Sequence, residues 1–511
     1  MKNKNIHNKA YEIISMLLIL IVIVSCDEFL DEPPSTSTNI EIKTIEQLDN
    51  LLNDFAVFYE EGNRTSVYST DDYELPLELF NQRPSTFNLT GIQYYTWDID
   101  NIMLQTDNYW TSEFEKIFYA NVVLDNLDNV SGPASDKARL ESEARFLRAY
   151  SYFQLVNTYC LPYSSDNLSA LGLPIKTIPN YEESLDRNSL EQTYDFIESD
   201  ILKSLELNVP ILQSGQLRTW RANTAAVNAL AARFYLAKQD YEKAQNYAQT
   251  AIDNHPGMVD YNTDMYYGMS EDYILNPGTI EEETFTMEYP YGHDNQTDPT
   301  DRLNWGEFMY ARLLYHASWW YIPSEDLLSL YDQENDLRYK YHIVEGYSYN
   351  RGMTNPAYNY PGYIFFYKSD IPSGPTAAEM HLIKAESQVR MGDVSGAMTT
   401  VNQVYIKRTL SGTPSLVASN QDDALLLILE ERRRELPFTQ RWFDIRRYNS
   451  NSTSIDDVTL TREFYEYTST SVLSDGPIQT YTLPIGSNRY AAPIPDFDVV
   501  ASQGELVQNP Y

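Results

Sequence analysis

The chain has 511 residues, 42% hydrophobic and 22% charged, with a formal net charge of −36. That is a globular composition, long enough for one large or two ordinary domains. So acidic a surface repels nucleic-acid phosphates and anionic lipid head groups, which counts against both as partners, and it suits an acidic polysaccharide only where a local basic patch exists.

In chain order, Lys2, Lys4 and Lys9 come first, then an apolar run from Ile13 to Val24 broken only by Ser15, then Ser25 and Cys26. This is the layout of a bacterial lipoprotein signal peptide. At about twelve residues the apolar run is too short to cross a hydrocarbon core of roughly 30 Å as a helix. Residues 1–25 are expected to be a leader, and Cys26 to carry lipid, including palmitate, that anchors the chain to a membrane surface. Residues 26–40 then form a tether, with the acidic, Pro/Ser/Thr-rich stretch Asp27 to Thr38 showing no packing signal. Loss of the leader leaves Cys160 as the remaining thiol besides Cys26, so no disulfide forms within the mature chain. Cys160 follows a helical run and reads as a small buried hydrophobe.

Residues 41–511 read as one mostly α-helical domain. Ala231, Ala232, Tyr235, Tyr241, Ala244, Ala248, Ala251 and Pro256 follow tetratricopeptide (TPR) spacing, with small residues where two helices touch and a proline at the end. A second copy runs through Ala385, Met391-Gly392, Ala397, Val401 and Val404. On the run ending at Tyr159, Leu140, Ala144, Leu147 and Leu155 form one face and Phe146, Tyr150 and Phe153 another. Helices are therefore expected near 111–160, 187–256 and 376–408, in a TPR-like α-solenoid of about four helix pairs. Between them, 257–375 has no long helical pattern and is rich in aromatic residues. It is expected to supply long irregular loops that form a ligand face. Smaller loop-rich blocks lie at Gly62 to Asp107 and Leu161 to Asn188.

The 42 tyrosines exceed the 20 glycines twofold. Tyrosine joins a flat apolar ring to a hydroxyl, which suits recognition of polar ligands by stacking. Trp305, Trp319, Trp320, Tyr321, Tyr289, Tyr291 and Tyr310 lie in the aromatic region, and Trp97, Asn101 and Tyr73 in the earlier block. These are the candidate ligand-binding residues. Asp294, Asp298 and Asp301 make an oxygen-rich loop that could take Ca²⁺ but lacks EF-hand spacing, so a solvated acidic loop is the better reading. No HExxH, GxSxG, P-loop, CxxC pair or dinucleotide glycine fingerprint is present, so no enzyme and no cofactor is expected. In Glu430 to Arg447 acids interleave with the arginines, which points to internal ion pairs rather than to a phosphate site.

Taken together, the motifs resemble the SusD/RagB family of surface lipoproteins. The resemblance runs from Cys26-Asp27-Glu28-Phe29-Leu30-Asp31 through Thr70 to Pro76, Trp110, Phe114 to Ile117, Ala120-Asn121, Glu143 to Tyr150 and Gly172 to Ile175. It continues with Ala378-Glu379-Met380, Lys384-Ala385-Glu386, Glu431 to Leu436, Arg441 to Arg447, Ala492 to Pro495 and Gln508-Asn509-Pro510. Each segment is weak alone; their order is specific. Around Pro437 and Thr439-Gln440 the chain departs from the turn common in such proteins. The resemblance implies a non-enzymatic lid on a SusC-like TonB-dependent outer-membrane transporter, which captures oligosaccharides, or peptides in RagB-like members. It also implies display on the outer face of the cell, through Asp27 and Glu28 beside the lipidated cysteine. No binding residue carries over, because the family's ligand residues vary. A TPR groove that binds or scaffolds other proteins is the alternative reading.

Overall fold

The structure is a computed structural model, and it describes residues 42–106, 108–180, 183–290, 302–366 and 368–511. Cys26 and its tether lie outside the described residues, as do Tyr291, Asp294, Asp298 and Asp301. No helix among the described residues is long and apolar enough to cross a membrane.

Small buried residues explain how the helices pair. α1 (Ile45–Leu52) packs on α2 (Asn108–Asn126) and α3 (Ala134–Tyr159), and α4 (Leu190–Ser204) lies against α3. Next come α5 (Thr224–Ala237) and α6 (Tyr241–Asp253). Ala244, Ala248 and Ala251 form the buried stripe of α6, which packs against α5 and against α7 (Ala377–Arg390). Alanine brings helix axes close and interlocks the ridges of one with the grooves of the next. α7 continues into α8 (Val394–Arg408), and both pack on α9 (Gln421–Glu435).

The α5–α6 and α7–α8 turns use one device. A residue in the left-handed region, Gln239 (φ 61) or Gly392 (φ 91), is followed by an aspartate cap. Asp240 accepts from the Lys243 amide at 3.2 Å and Asp393 from the Gly396 amide at 2.9 Å. Each cap satisfies an otherwise orphaned donor in the first helical turn.

Past α9, the short helix α10 (Arg441–Tyr448) completes a dense ion-pair network. Arg432 meets Asp444 at 2.7 Å, Arg433 meets Asp72 at 2.7 Å, Arg434 meets Glu431 at 2.9 Å and Arg441 meets Asp71 at 2.6 Å. Arg447 pairs with Asp444 at 2.9 Å and with Glu386 of α7. Burial pushes the Glu386 carboxyl up, but Arg447 and Arg390 beside it outweigh that and hold it at about 2. The arginine-rich segment is thus internal framework that ties α9 and α10 to α7 and to the Asp71-Asp72 loop.

The segment between α6 and α7 has a core of its own. Its hairpin pairs β2 (Tyr267–Leu275) with β3 (Glu283–Pro290). A three-stranded sheet places β4 (Leu313–Tyr315) between β1 (Glu60–Glu61), parallel, and β5 (Asp370–Pro372), antiparallel. Tyrosine hydroxyls replace much of the missing ladder by donating to loop carbonyls. Tyr321 bonds Leu314 at 2.6 Å and Ser369 at 3.1 Å, Tyr331 bonds Arg434 at 2.9 Å, and Tyr360 bonds Pro323 at 3.2 Å. A buried carbonyl needs such a partner, so the tyrosines serve as fill and as hydrogen-bond donors together. Near the C-terminus β6 (Leu460–Tyr465) and β7 (Ile478–Leu483) form another hairpin.

Candidate functional site

The aromatic residues singled out by sequence are mostly core. Trp97 is buried beside Trp442 and Ile445, donates its indole N–H to Ser69 at 3.0 Å and lies under the Arg462 guanidinium. Tyr73 is wedged edge-on between Tyr68 and Tyr95, with centroids 5.0 and 5.7 Å away. Half-buried Asn101 donates to Asp98 at 2.7 Å. Tyr289 is buried and donates to Glu271 at 2.8 Å. Trp305 packs edge-on against Phe365 at 5.1 Å, and Tyr310 against Phe146 of α3 at 4.9 Å. Trp320 and Tyr321 are buried too. These rings are buried among other side chains, because an irregular segment of this size needs its own apolar filling, and of them Tyr73 and Trp320 also line a surface crevice.

Trp319 differs. It is 40% exposed, where its neighbour Trp320 is 3% exposed. Strand β4 delivers the chain to a tight turn in which the Trp319 amide donates to the His316 carbonyl at 2.9 Å. Trp319 has φ 56, a left-handed conformation that costs a bulky side chain of order 1–3 kcal/mol and that clusters at functional sites. At this turn Trp319 lies outward and Trp320 inward, where the Trp320 indole donates to the Pro361 carbonyl at 3.0 Å. His316 anchors the turn from below, edge-on to Tyr68 at 5.1 Å and Tyr321 at 5.0 Å. Burial, with Arg351 and Arg64 adding to it, holds its imidazole neutral at about 3.

The rim around Trp319 comes from parts of the chain far apart in sequence. Asn88 caps the short helix Leu89–Tyr95 by accepting from Gly91 at 2.6 Å, and donates to Ser318 at 3.3 Å. Phe87 packs on Trp320 with centroids 5.8 Å apart. Arg83 donates to the carbonyls of Arg351 at 3.3 Å and Gly352 at 2.9 Å. Tyr347 donates to the Trp319 carbonyl at 2.7 Å, fixing the turn from its other side. Phe87, Asn88, Ser318, Trp320 and Arg351 line a crevice of about 20 Å³, room for about one water. The crevice is thus too small to enclose more than a water, and what this surface offers outward is an aromatic ring with amide, hydroxyl and guanidinium groups nearby.

Of the sequence candidates among the described residues, Trp319 is the exposed ring; Phe87, Asn88, Ser318, Arg83 and Arg351 were not among those candidates. One signal was available. Arg64, Arg83 and Arg351 stand in stretches without any acid, 62–70, 79–97 and 346–369, in a chain with 73 acidic residues.

Larger depressions lie elsewhere, among them an open one of about 450 Å³ along α4. A polar cleft of about 610 Å³ is lined by Asn167, Asn449, Asn451 and Tyr490, with buried Arg446 at its wall. An apolar cleft of about 330 Å³ is lined by Trp110, Phe114 and Phe118 of α2 together with Ala501 and Leu506. No group of three or more His, Cys, Asp or Glu able to hold a metal ion occurs among the described residues.

Comparisons with known proteins agree with this architecture. Residues 28–236 match a SusD-like family described as starch-binding and associating with the outer membrane, and residues 377–511 match the SusD family. SusD-like protein P38 of Formosa agariphila is 24% identical over 506 residues, covering 85% of this chain and 90% of the relative. A SusD-like carbohydrate-binding protein of Bacteroides vulgatus superposes with a TM-score of 0.60 at 17% identity, over 91% of this chain and 97% of that one. A solved laminarin-binding SusD-like protein gives 0.56 at 19% identity, over 92% of this chain and 100% of that one. In sequence and in fold, the chain belongs to the SusD/RagB family.

Proposed function

We propose that this chain is a non-enzymatic cell-surface lipoprotein, anchored through Cys26, that captures oligosaccharides on the Trp319 surface and delivers them to a SusC-like TonB-dependent outer-membrane transporter. The observation that carries the reading is Trp319 itself, 40% exposed, held at φ 56 and rimmed by Asn88 and Ser318. A 40% exposed aromatic ring on a left-handed backbone offers a flat apolar surface on which a sugar's C–H face can stack. The carbohydrate-binding and laminarin-binding structural neighbours support the same ligand class. The helix pairs, with their shared left-handed turn and aspartate cap, are in this reading TPR units that form one rigid domain with the aromatic segment.

Calorimetry of the chain beginning after Cys26, against neutral and acidic oligosaccharides (laminarin among them) and mixed peptides, tests the proposal. Saturable heat with one glycan class, lost in Trp319→Ala, is the expected result. Heat with peptides alone moves the chain to the RagB-like peptide importers.

The scaffold reading has its own observation. Next to the apolar cleft, Phe497 is 78% exposed and Val500 68% exposed, which favours a protein partner at that face. A scaffold without a soluble ligand would give no heat with any glycan or peptide.

A further inference from the structure

Most arginines of this chain meet a carboxylate. Among the described residues Arg64, Arg83 and Arg351 take part in no ion pair, nor do Arg187, Arg218, Arg446, Arg462 and Arg489 elsewhere, although the chain as a whole has 73 acidic and 37 basic residues. Arg83 and Arg351 stand together at one place. Arg351 lines the crevice with Phe87, Asn88 and Ser318. Its Nε is buried and has no hydrogen-bond partner among the described residues. Arg83 is seated on the next residue, Gly352, which has φ 84 and where a Cβ would collide with the Arg83 guanidinium. Glycine at 352 permits both the left-handed backbone and that close approach. The crevice wall itself holds no carboxylate.

We propose that the glycan taken by the Trp319 surface is anionic, with a uronate carboxylate or a sulfate ester held by Arg351 and Arg83 while the neighbouring sugar ring stacks on Trp319. This rests on the carbohydrate-binding reading above and names its substrate class. A planar guanidinium presents paired donors that match the oxygens of a carboxylate or sulfate, and such charge-assisted bonds are about twice as strong as neutral ones. Elsewhere the acidic surface repels a polyanion. A local cluster of unneutralised arginines therefore selects where it lands, and in what register.

The test is calorimetry of the full chain in detergent with three probes of equal length: an oligogalacturonate, a sulfated galactan oligosaccharide and an unsulfated galactan oligosaccharide. At least one anionic probe is expected to bind about tenfold or more tighter than the neutral one, and to weaken as salt rises from low to high. Arg83→Gln and Arg351→Gln should each remove most of that preference, weakening the anionic probe about tenfold more than the neutral one. Arg83 is exposed, so its variant keeps the test valid should Arg351→Gln fail to fold. Preference for the uronate over the sulfate, or the reverse, identifies the anionic group. Neutral binding that Trp319→Ala abolishes and the arginine variants do not touch overturns the anionic assignment and leaves the glycan reading standing. Silence with all three probes, alongside saturable peptide binding, overturns both.

Discussion

Two sets of arginines show how differently one side chain serves this molecule. In 430–447, Arg432, Arg433, Arg434, Arg441 and Arg447 each meet a carboxylate at 2.6–2.9 Å and are buried or nearly so. Beside Trp319, Arg64, Arg83 and Arg351 meet none among the described residues, and Arg83 is open to solvent. The dense cluster has the sequence pattern of a functional patch, yet it is framework. Arg83 and Arg351 draw no notice in sequence because they are 268 positions apart, yet they meet at one surface. Density of charge says little about role; the presence or absence of a neutralising partner says much more.

The largest effect that would break this comparison lies in the framework. Glu386→Ala should cost about 3 kcal/mol in denaturant unfolding, because it removes the carboxylate shared by the buried guanidinium groups of Arg447 and Arg390 and leaves each with one remaining partner, Asp444 and Asp456. Arg83→Gln should change stability by less than about 0.5 kcal/mol, as expected of an exposed position. Equal costs in the two variants would erase the distinction.

The adjacent tryptophans sharpen it. Trp320→Ala should cost about 3–5 kcal/mol, since a buried ring leaves a cavity. Trp319→Gly should leave stability within about 1 kcal/mol, because glycine suits the left-handed backbone there, and should lower glycan affinity more than tenfold. A Trp319→Gly variant that unfolds would place the ring in the core after all.

Glu386 also sets an acid limit. Its folded value of about 2 lies below the ordinary 4.5, so the stability it contributes is fully present above about pH 4.5. That contribution is lost as pH falls toward 2, and the loss should be smaller in Glu386→Gln than in the parent chain. The smallest effect concerns His316. An imidazole held neutral down to about 3 does not titrate between pH 5.5 and 8, so glycan affinity should vary less than about twofold across that range. A midpoint near 6.5 would mean that the ring is open to water.

Much of the helical layer was legible. Ala244, Ala248 and Ala251 announce a helix face at 3.6-residue spacing, and Gly392-Asp393 announces a turn followed by a cap. The family, too, was carried by motifs in order along the chain. The β2–β3 hairpin was not legible, because its alternation is imperfect: Ile274 faces solvent at 58% exposure while Met287 and Tyr289 face the core. Nor could residue type separate Trp319 from Trp320. The two are identical and adjacent, and only the folded surroundings, with Trp320 bonded to Pro361 and Trp319 at the His316 turn, separate the exposed ring from the buried one. Rim residues such as Phe87 and Asn88 were hidden for a different reason. Their partners lie more than two hundred positions away, and only folding brings them together.

The most direct measurement is a structure of the chain with a bound oligosaccharide. The account predicts a sugar ring stacked on Trp319, with its polar groups near Asn88, Ser318 and Arg351. A sugar seated instead in the 610 Å³ cleft beside Arg446, with the Trp319 ring bare, would contradict it.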